Sequence, residues 1–274
     1  MSLGYLVPRL VRHFLPERWT RFMLLRSLII KPGLETVEPA AAVDRYAELL
    51  ALHHDSLRGK RILVFGYGGR FDIGVGLLAA GAARVALCDM FARPDDSHNA
   101  RLLPNYGDWL QMQGGVPRPR RERMELIEAD VRAIDPPAIS LGYDLVVSNS
   151  VYEHVEDAVG ITLALARWST PSGMQIHFVD LRDHYFRYPF EMLRYSEITW
   201  RRWLNPTSHH NRLRVWDYRR IFESHFRTVE IHILQRDESA FERIRPYARP
   251  EFISGNAAED TVTLMRITAR SPRS

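Results

Sequence analysis

The sequence predicts an α/β fold: a doubly wound, seven-stranded sheet with an antiparallel last strand, preceded by an N-terminal helical appendage. Three observations carry this. From residue 60 onward, buried-strand and amphipathic-helix patterns alternate, which is the order of a parallel sheet covered on both faces. A glycine-rich turn, Gly66-Tyr67-Gly68-Gly69, joins the first apolar run to the helical pattern behind it. The last two strand patterns have no helical pattern between them, so the chain is expected to return as a hairpin rather than as a crossover.

Taken in order, residues 1–56 read as an amphipathic helical extension and 57–274 as the sheet-bearing domain, with an insertion at about 181–214. In the extension, Leu3, Leu6, Val7, Leu10, Val11, Phe14 and Leu15 recur at three- and four-residue spacing, one face of a helix. Pro8 and Pro16 are expected to divide it into short helices, and Trp19, Phe22, Met23 and Leu28-Ile29-Ile30 continue its apolar content. A further helix is expected over 40–55. Strand patterns follow at 61–66, 84–89, 124–129, 143–148 and 174–180, and helical ones at 72–81, 98–113, 153–168 and 215–224. The closing strands are read at 227–235 and 260–269, with Pro246, Pro250 and Gly255 between them.

A chain of 274 residues, 46% hydrophobic, can bury a full core as one large domain or as a domain with an appendage. No apolar run approaches the length of a membrane span, and the N-terminus lacks the cleavage pattern of a secretory signal. The single cysteine, Cys88, lies in an apolar strand pattern and excludes an internal disulfide framework or a cysteine-cluster zinc site. A cytoplasmic protein is expected. Residues 1–31 hold Arg9, Arg12, Arg18, Arg21, Arg26 and Lys31 against Glu17 alone, while the whole chain carries a net charge of +4. The rest is therefore near neutral, which argues against a nucleic-acid partner. Two readings of residues 1–30 stand open: helices packed on the main domain or on a second copy as a homodimer, and a segment lying peripherally on the inner membrane face.

The glycine turn follows the first strand pattern, and Asp89 ends the second. Glycines let a backbone approach a ligand closely, and a carboxylate at the next strand end can accept both hydroxyls of a ribose. That predicts a nucleotide-type ligand. Further along come Glu128-Ala129-Asp130-Val131 and the run from Tyr143 to Val155, which ends Tyr152-Glu153-His154-Val155. These segments, in this order, resemble the class I S-adenosylmethionine-dependent methyltransferases, which have a Rossmann-like fold, over about residues 58–269. The resemblance implies that Gly66, Tyr67, Gly68 and Gly69 pass under the methionine part of S-adenosylmethionine. It places Asp89 and Met90 at the ribose, Asp130 and Val131 at the adenine, and Ser148 and Asn149 beside the cofactor. The chain departs from the family's pattern at Val64, where an acid is usual, and at Arg70, where a third glycine is usual. A nicotinamide dehydrogenase is disfavoured. Phe71 stands where its fingerprint needs glycine, and neither Lys31 nor Lys60 has a tyrosine partner at the required spacing.

Methyl transfer needs alignment and exclusion of water, and a base only where the acceptor keeps its proton, as a hydroxyl does. His154 follows the fourth strand and Asp180, Asp183 and His184 follow the fifth, at the edge where such sheets bind ligands. His184 and His154 are the candidate bases, though His154 also fits a helix N-terminal packing role. Tyr152, Asp183, Tyr185, Asn211, Arg212 and Arg214 are the candidate acceptor contacts, the last three as donors to an anionic group. The aromatic residues of 181–214 fit either stacking on the acceptor or a small core of the insertion. His209-His210 has no partner at metal-ligand spacing, so no metal is expected. The expected activity is methyl transfer, at oxygen, to a small-molecule, glycan or lipid-linked acceptor. A binding protein that keeps the fold without turnover is the alternative.

Overall fold

The computed structural model describes residues 3–14, 38–135, 142–183, 188–205 and 210–273. The strands are Arg61–Phe65 (β1), Arg84–Cys88 (β2), Leu110–Gln113 (β3), Val116–Pro119 (β4), Met124–Ile127 (β5), Tyr143–Asn149 (β6), Ser169–Asp180 (β7), Phe226–Arg236 (β8) and Val262–Pro272 (β9). The helices are Leu3–Phe14 (α1), Pro39–Ala51 (α2), Asp72–Ala79 (α3), Asp96–Ala100 (α4), Leu103–Tyr106 (α5), Ala158–Trp168 (α6), Val215–His225 (α7) and Glu238–Ile244 (α8), besides shorter turns. Seven strands form one sheet in the order β5-β2-β1-β6-β7-β9-β8. The first five pair in parallel, and β9 slots antiparallel between β7 and β8.

Both faces of the sheet are covered, which is why its central strands read as unbroken apolar runs. Ile62 and Val64 of β1 face α2 and α3, packing with Val43, Tyr46 and Leu78, whereas Leu63 faces α6 and α7, with Leu165, Trp168, Tyr218 and Phe222. A third cluster joins Phe190, Met192, Leu193, Trp200 and Leu204 to Ala240, Phe241 and Ile244 of α8, with Leu6 of α1 against it. The aromatic insertion thus has a core of its own, although Trp203 stays 41% exposed.

Several expectations need correction. Over 98–113 the chain makes no single helix but α4, α5 and the β3–β4 hairpin, because Gly114-Gly115 adopts φ of +61° and +82°. Two consecutive positive φ values are what a two-residue hairpin turn requires. The helix expected over 153–168 begins only at Ala158, where the Asp157 side chain accepts from the Gly160 amide at 2.8 Å. Before it, Tyr152–His154 forms a single 3-10 turn. Helix α1 runs through residue 8 without a break. Helix α2 is part of the main core rather than of an appendage, since it buries Ala42, Val43, Tyr46, Leu49 and Leu50. A helix, α8, does lie between the last two strands, yet they remain antiparallel neighbours. Among the described residues no helix is long and apolar enough to cross a membrane.

Candidate functional site

The carboxyl ends of the parallel strands converge on the glycine turn. Gly66, Gly68 and Gly69 have φ of +81°, +66° and +86°. A Cβ at Gly66 would lie 2.3 Å from Val151 Cγ2, and one at Gly69 would lie 2.3 Å from the Arg93 carbonyl oxygen. A Cβ at Gly68 would meet nothing within 4 Å. Two glycines are therefore required by the protein itself, and the third presents bare backbone to open space.

Several groups fix the turn. The Gly66 amide donates to the Cys88 carbonyl at 2.7 Å, and the Gly68 amide donates to Asp89 Oδ2 at 3.2 Å. Asp89 Oδ1 accepts from the amides of Phe91 and Ala92, both at 2.8 Å. Asn99, fully buried, donates to the Gly69 carbonyl at 2.9 Å and accepts from the Phe71 amide at 3.0 Å. Tyr67 is buried and its hydroxyl has no hydrogen-bond partner; burial, then the charges of Asp89 and Glu128, push that phenol well above its usual range. Met90, after β2, is 47% exposed. Asp130 is held below the ordinary carboxylate range by Arg132, which also reaches Asp157. Val131 is in the core. An open cleft of about 470 Å³ lies beside β5, lined by Gln113, Arg118, Arg121, Leu126 and Glu128. Another, of about 370 Å³, lies beyond β7, lined by Arg182, Pro189, Gln235, Arg236, Asp237 and Thr263.

On the acceptor side the structure departs from expectation. The Ser148 hydroxyl meets His177 Nδ1 at 2.8 Å and the whole residue is buried within the sheet, contrary to the expected place beside the cofactor, while Asn149 stands half-buried at the end of β6. Tyr152 is fully buried in an aromatic cluster, 4.7 Å from His177 and 5.3 Å from Phe222 between ring centres. Its hydroxyl meets Thr162 at 3.2 Å, which makes it core rather than cleft lining. The Asn211 carboxamide donates to the carbonyls of Tyr152 and Val155, at 2.7 and 2.9 Å. Arg212 donates to the carbonyls of Met192 and Tyr195, at 3.0 and 2.7 Å, and pairs with Glu197. Arg214 donates to the carbonyls of Asp260 and Val262, at 2.9 and 3.0 Å, and burial lowers its pKa to about 10. Asn211 and Arg214 bind the insertion to the turn after β6 and to the start of β9, and Arg212 ties the insertion to itself, so none of the three is a free anion donor.

Asp183 is fully buried, ion-paired to Arg9 and accepting from the Tyr5 hydroxyl. Arg9 also donates to the Leu204 carbonyl and lies 4.6 Å over the Trp200 ring, while Tyr5 stacks on Tyr195 at 6.0 Å. Helix α1, the described part of the N-terminal segment, is thus seated on the insertion. His154 is half-buried and sits edge-on to His210, 6.1 Å between ring centres. His184, Tyr185, His209, and residues 15–31 of the basic extension lie outside the described residues. Glu153, Asn99, Tyr5 and Arg9 were not singled out as site residues by the sequence. Asn99 and the pairing partners of Asp183 show no local pattern, whereas Glu153 stood unremarked inside a recognised segment.

No family model and no curated protein matches the sequence. Solved structures do resemble it at low identity. One is the 1,6-didemethyltoxoflavin-N1-methyltransferase of Burkholderia thailandensis, at 16% identity and TM-score 0.48, covering 94% of this chain and 91% of that one. A second is the N-methyltransferase NodS of Bradyrhizobium japonicum, at 15% and 0.46, covering 84% and 87%. A third is phosphoethanolamine N-methyltransferase 2 of Haemonchus contortus, at 12% and 0.48, covering 84% and 53%. Likeness this distant transfers no residue role to this chain.

Proposed function

We propose that the protein is an S-adenosylmethionine-dependent methyltransferase acting at oxygen on a small-molecule, glycan or lipid-linked acceptor. The observation that carries this is the glycine turn. Gly68 offers bare backbone to open space beside a carboxylate, Asp89, at the carboxyl edge of a sheet with an antiparallel strand slotted between its last two. The residues present fit the cofactor: a side chain at 68 would fill the cradle, and the orphaned Tyr67 hydroxyl awaits a partner.

Gly66 to Gly69, Asp89 and Asp130 would hold the cofactor, which supplies a methyl group already activated on a sulfonium. Asp89 keeps an oxygen near the Gly68 amide while its other oxygen fastens the turn after β2, so binding and positioning are coupled in one carboxylate. His154, in the turn that follows β6, would be the base that takes a proton from a hydroxyl acceptor. The insertion, with its own aromatic core, closes the acceptor side against water.

The second reading, a binding protein without turnover, draws support from Asp183, whose carboxylate is already committed to Arg9 and Tyr5. Calorimetry with S-adenosylmethionine, S-adenosylhomocysteine and NAD, followed by labelled-methyl transfer to candidate acceptors, tests both. Failure of the first two ligands to bind refutes the cofactor assignment. Tight binding with no transfer to any acceptor class supports the silent reading.

A further inference from the structure

Among the described residues, Glu153 is the only carboxyl group with both oxygens buried and no side-chain hydrogen-bond partner; the donors near it are backbone amides, its own and that of Asp180. It is fully buried, in the turn Tyr152–His154 that leaves the carboxyl end of β6. Two residues earlier, the Val151 side chain fills the space against Gly66, so this turn abuts the glycine cradle.

The groups around it do not neutralise a charge. Asp180, at the end of β7, is negative, and Arg182 answers it through paired bonds of 2.9 and 2.6 Å. From α7, Tyr218 directs its hydroxyl to the Tyr152 carbonyl. From the insertion, the Asn211 amide donates at 2.8 Å to the carbonyl of Glu153, not to its carboxyl group. His154 on the same turn faces His210. An ionised carboxylate without a cationic side chain bonded to it in such a place is costly, and the usual escape is to keep the proton. Burial, followed by the Asp180 charge, raises its pKa well above the ordinary value; nearby amides and Arg182 offset only part of this.

We propose that Glu153 is the proton-linked carboxyl of the methyl-transfer cleft: neutral in the cofactor-free protein, it releases its proton to solvent when a sulfonium cation enters beside it. This rests on the cofactor reading above and deepens it. A cation close to a carboxyl lowers its proton affinity by roughly ten- to a thousandfold. The sulfide left after methyl transfer is uncharged and exerts no such pull. Glu153 therefore gives the cleft a means of distinguishing charged cofactor from neutral product, a distinction that the glycine turn and Asp89 lack.

The test is calorimetric binding of S-adenosylmethionine and S-adenosylhomocysteine to the full chain at pH 7, in phosphate and in Tris, whose ionisation enthalpies differ. The expected result is release of close to one proton per S-adenosylmethionine bound and almost none for S-adenosylhomocysteine. Glu153→Gln, an isostere of the protonated acid, should bind both without proton release. Asp180→Asn should release fewer protons than wild type, because Glu153 would already be partly ionised; it keeps the test usable if Glu153→Gln does not fold. Equal release in wild type and Glu153→Gln, unchanged release in Asp180→Asn, or no release in wild type overturns the proposal while leaving the cofactor assignment standing. Binding of neither ligand overturns the cofactor reading, and this inference falls with it.

Discussion

Replacing Arg9 by Met keeps most of the unbranched apolar stem of the side chain and removes the charged guanidinium, so the loss reports on what that group does. Arg9 is 4% exposed and its partner Asp183 is fully buried. Removing one member of a buried pair typically costs about 3–5 kcal/mol, most of it from the charge left behind. The Leu204 carbonyl loses a donor as well, which adds about 1 kcal/mol or more if water cannot reach it. An upper limit comes from α1 itself. Once the penalty exceeds the free energy that seats α1 on the insertion, the helix lifts away and water reaches Asp183. The net expectation is a loss of about 3 kcal/mol, or roughly 6–12 °C in Tm for a chain of this size class. Urea denaturation of Arg9→Met, Asp183→Asn and the double variant gives the cycle. The double variant should recover about 2 kcal/mol relative to the sum of the single ones, since no orphaned charge remains. A loss below about 1 kcal/mol for Arg9→Met, or strict additivity, would refute the docking of α1 through Asp183.

Other expectations can be checked with the same protein. Asp89→Ala should weaken S-adenosylmethionine binding and also destabilise the fold by about 2 kcal/mol, because three backbone amides lose their acceptor. Asp89→Asn keeps one oxygen for Phe91 and Ala92, so a calorimetric Kd raised roughly tenfold with less than about 1 kcal/mol of destabilisation is expected. Gly68→Ala has room for its methyl group and should cost only about 1 kcal/mol for its positive φ, yet lower cofactor affinity. Gly69→Ala collides with the Arg93 carbonyl and should lose clearly more stability; equal losses for the two would contradict the cradle geometry. Burial lowers the His177 pKa from 6.5 to about 3, so the unfolded chain binds the extra proton between those values. Its contribution to stability is therefore present above pH 6.5 and declines by about 1.4 kcal/mol per pH unit on acidification toward 3. His177→Gln should flatten that part of the urea-derived stability profile, and an unchanged slope would count against the burial argument.

The sheet was legible because its strands are buried twice over. Ile62, Leu63 and Val64 must all be apolar when helices cover both faces, and no other short element demands that. The glycine turn was legible for a similar reason, since φ values near +80° leave few alternatives to glycine. Over 98–113 the strand Leu110–Gln113 was hard to read because the signal that sets it, the Gly114-Gly115 turn, lies just beyond that stretch. The acceptor side was opaque for a different reason. An arginine on a loop reads as a free cation, and nothing local to Arg214 reveals that carbonyls from residues 46 and 48 positions later converge on it. The match between Arg9 and Asp183, 174 positions apart, is equally invisible to periodicity.

Of the two departures from the pattern of the family the sequence resembles, Val64 can be weighed from its packing. Val64 is fully buried, flanked in register by Leu87 and Val147 and packed under α2 and α3. A carboxylate there would have to find a partner in an apolar layer, at a cost of several kcal/mol. The turn that follows does not depend on such an acid. The Cys88 carbonyl, Asp89 and Asn99 hold Gly66, Gly68 and Gly69 from three directions, and the Asp95 amide adds a fourth bond to the Gly69 carbonyl at 2.8 Å. The cradle thus keeps its shape without the acid, and under the proposed function one charged contact to the cofactor would be absent. Any penalty must then appear in cofactor affinity and not in stability. That separation makes binding calorimetry, rather than a melting curve, the measurement that decides whether Val64 and Arg70 have silenced the site.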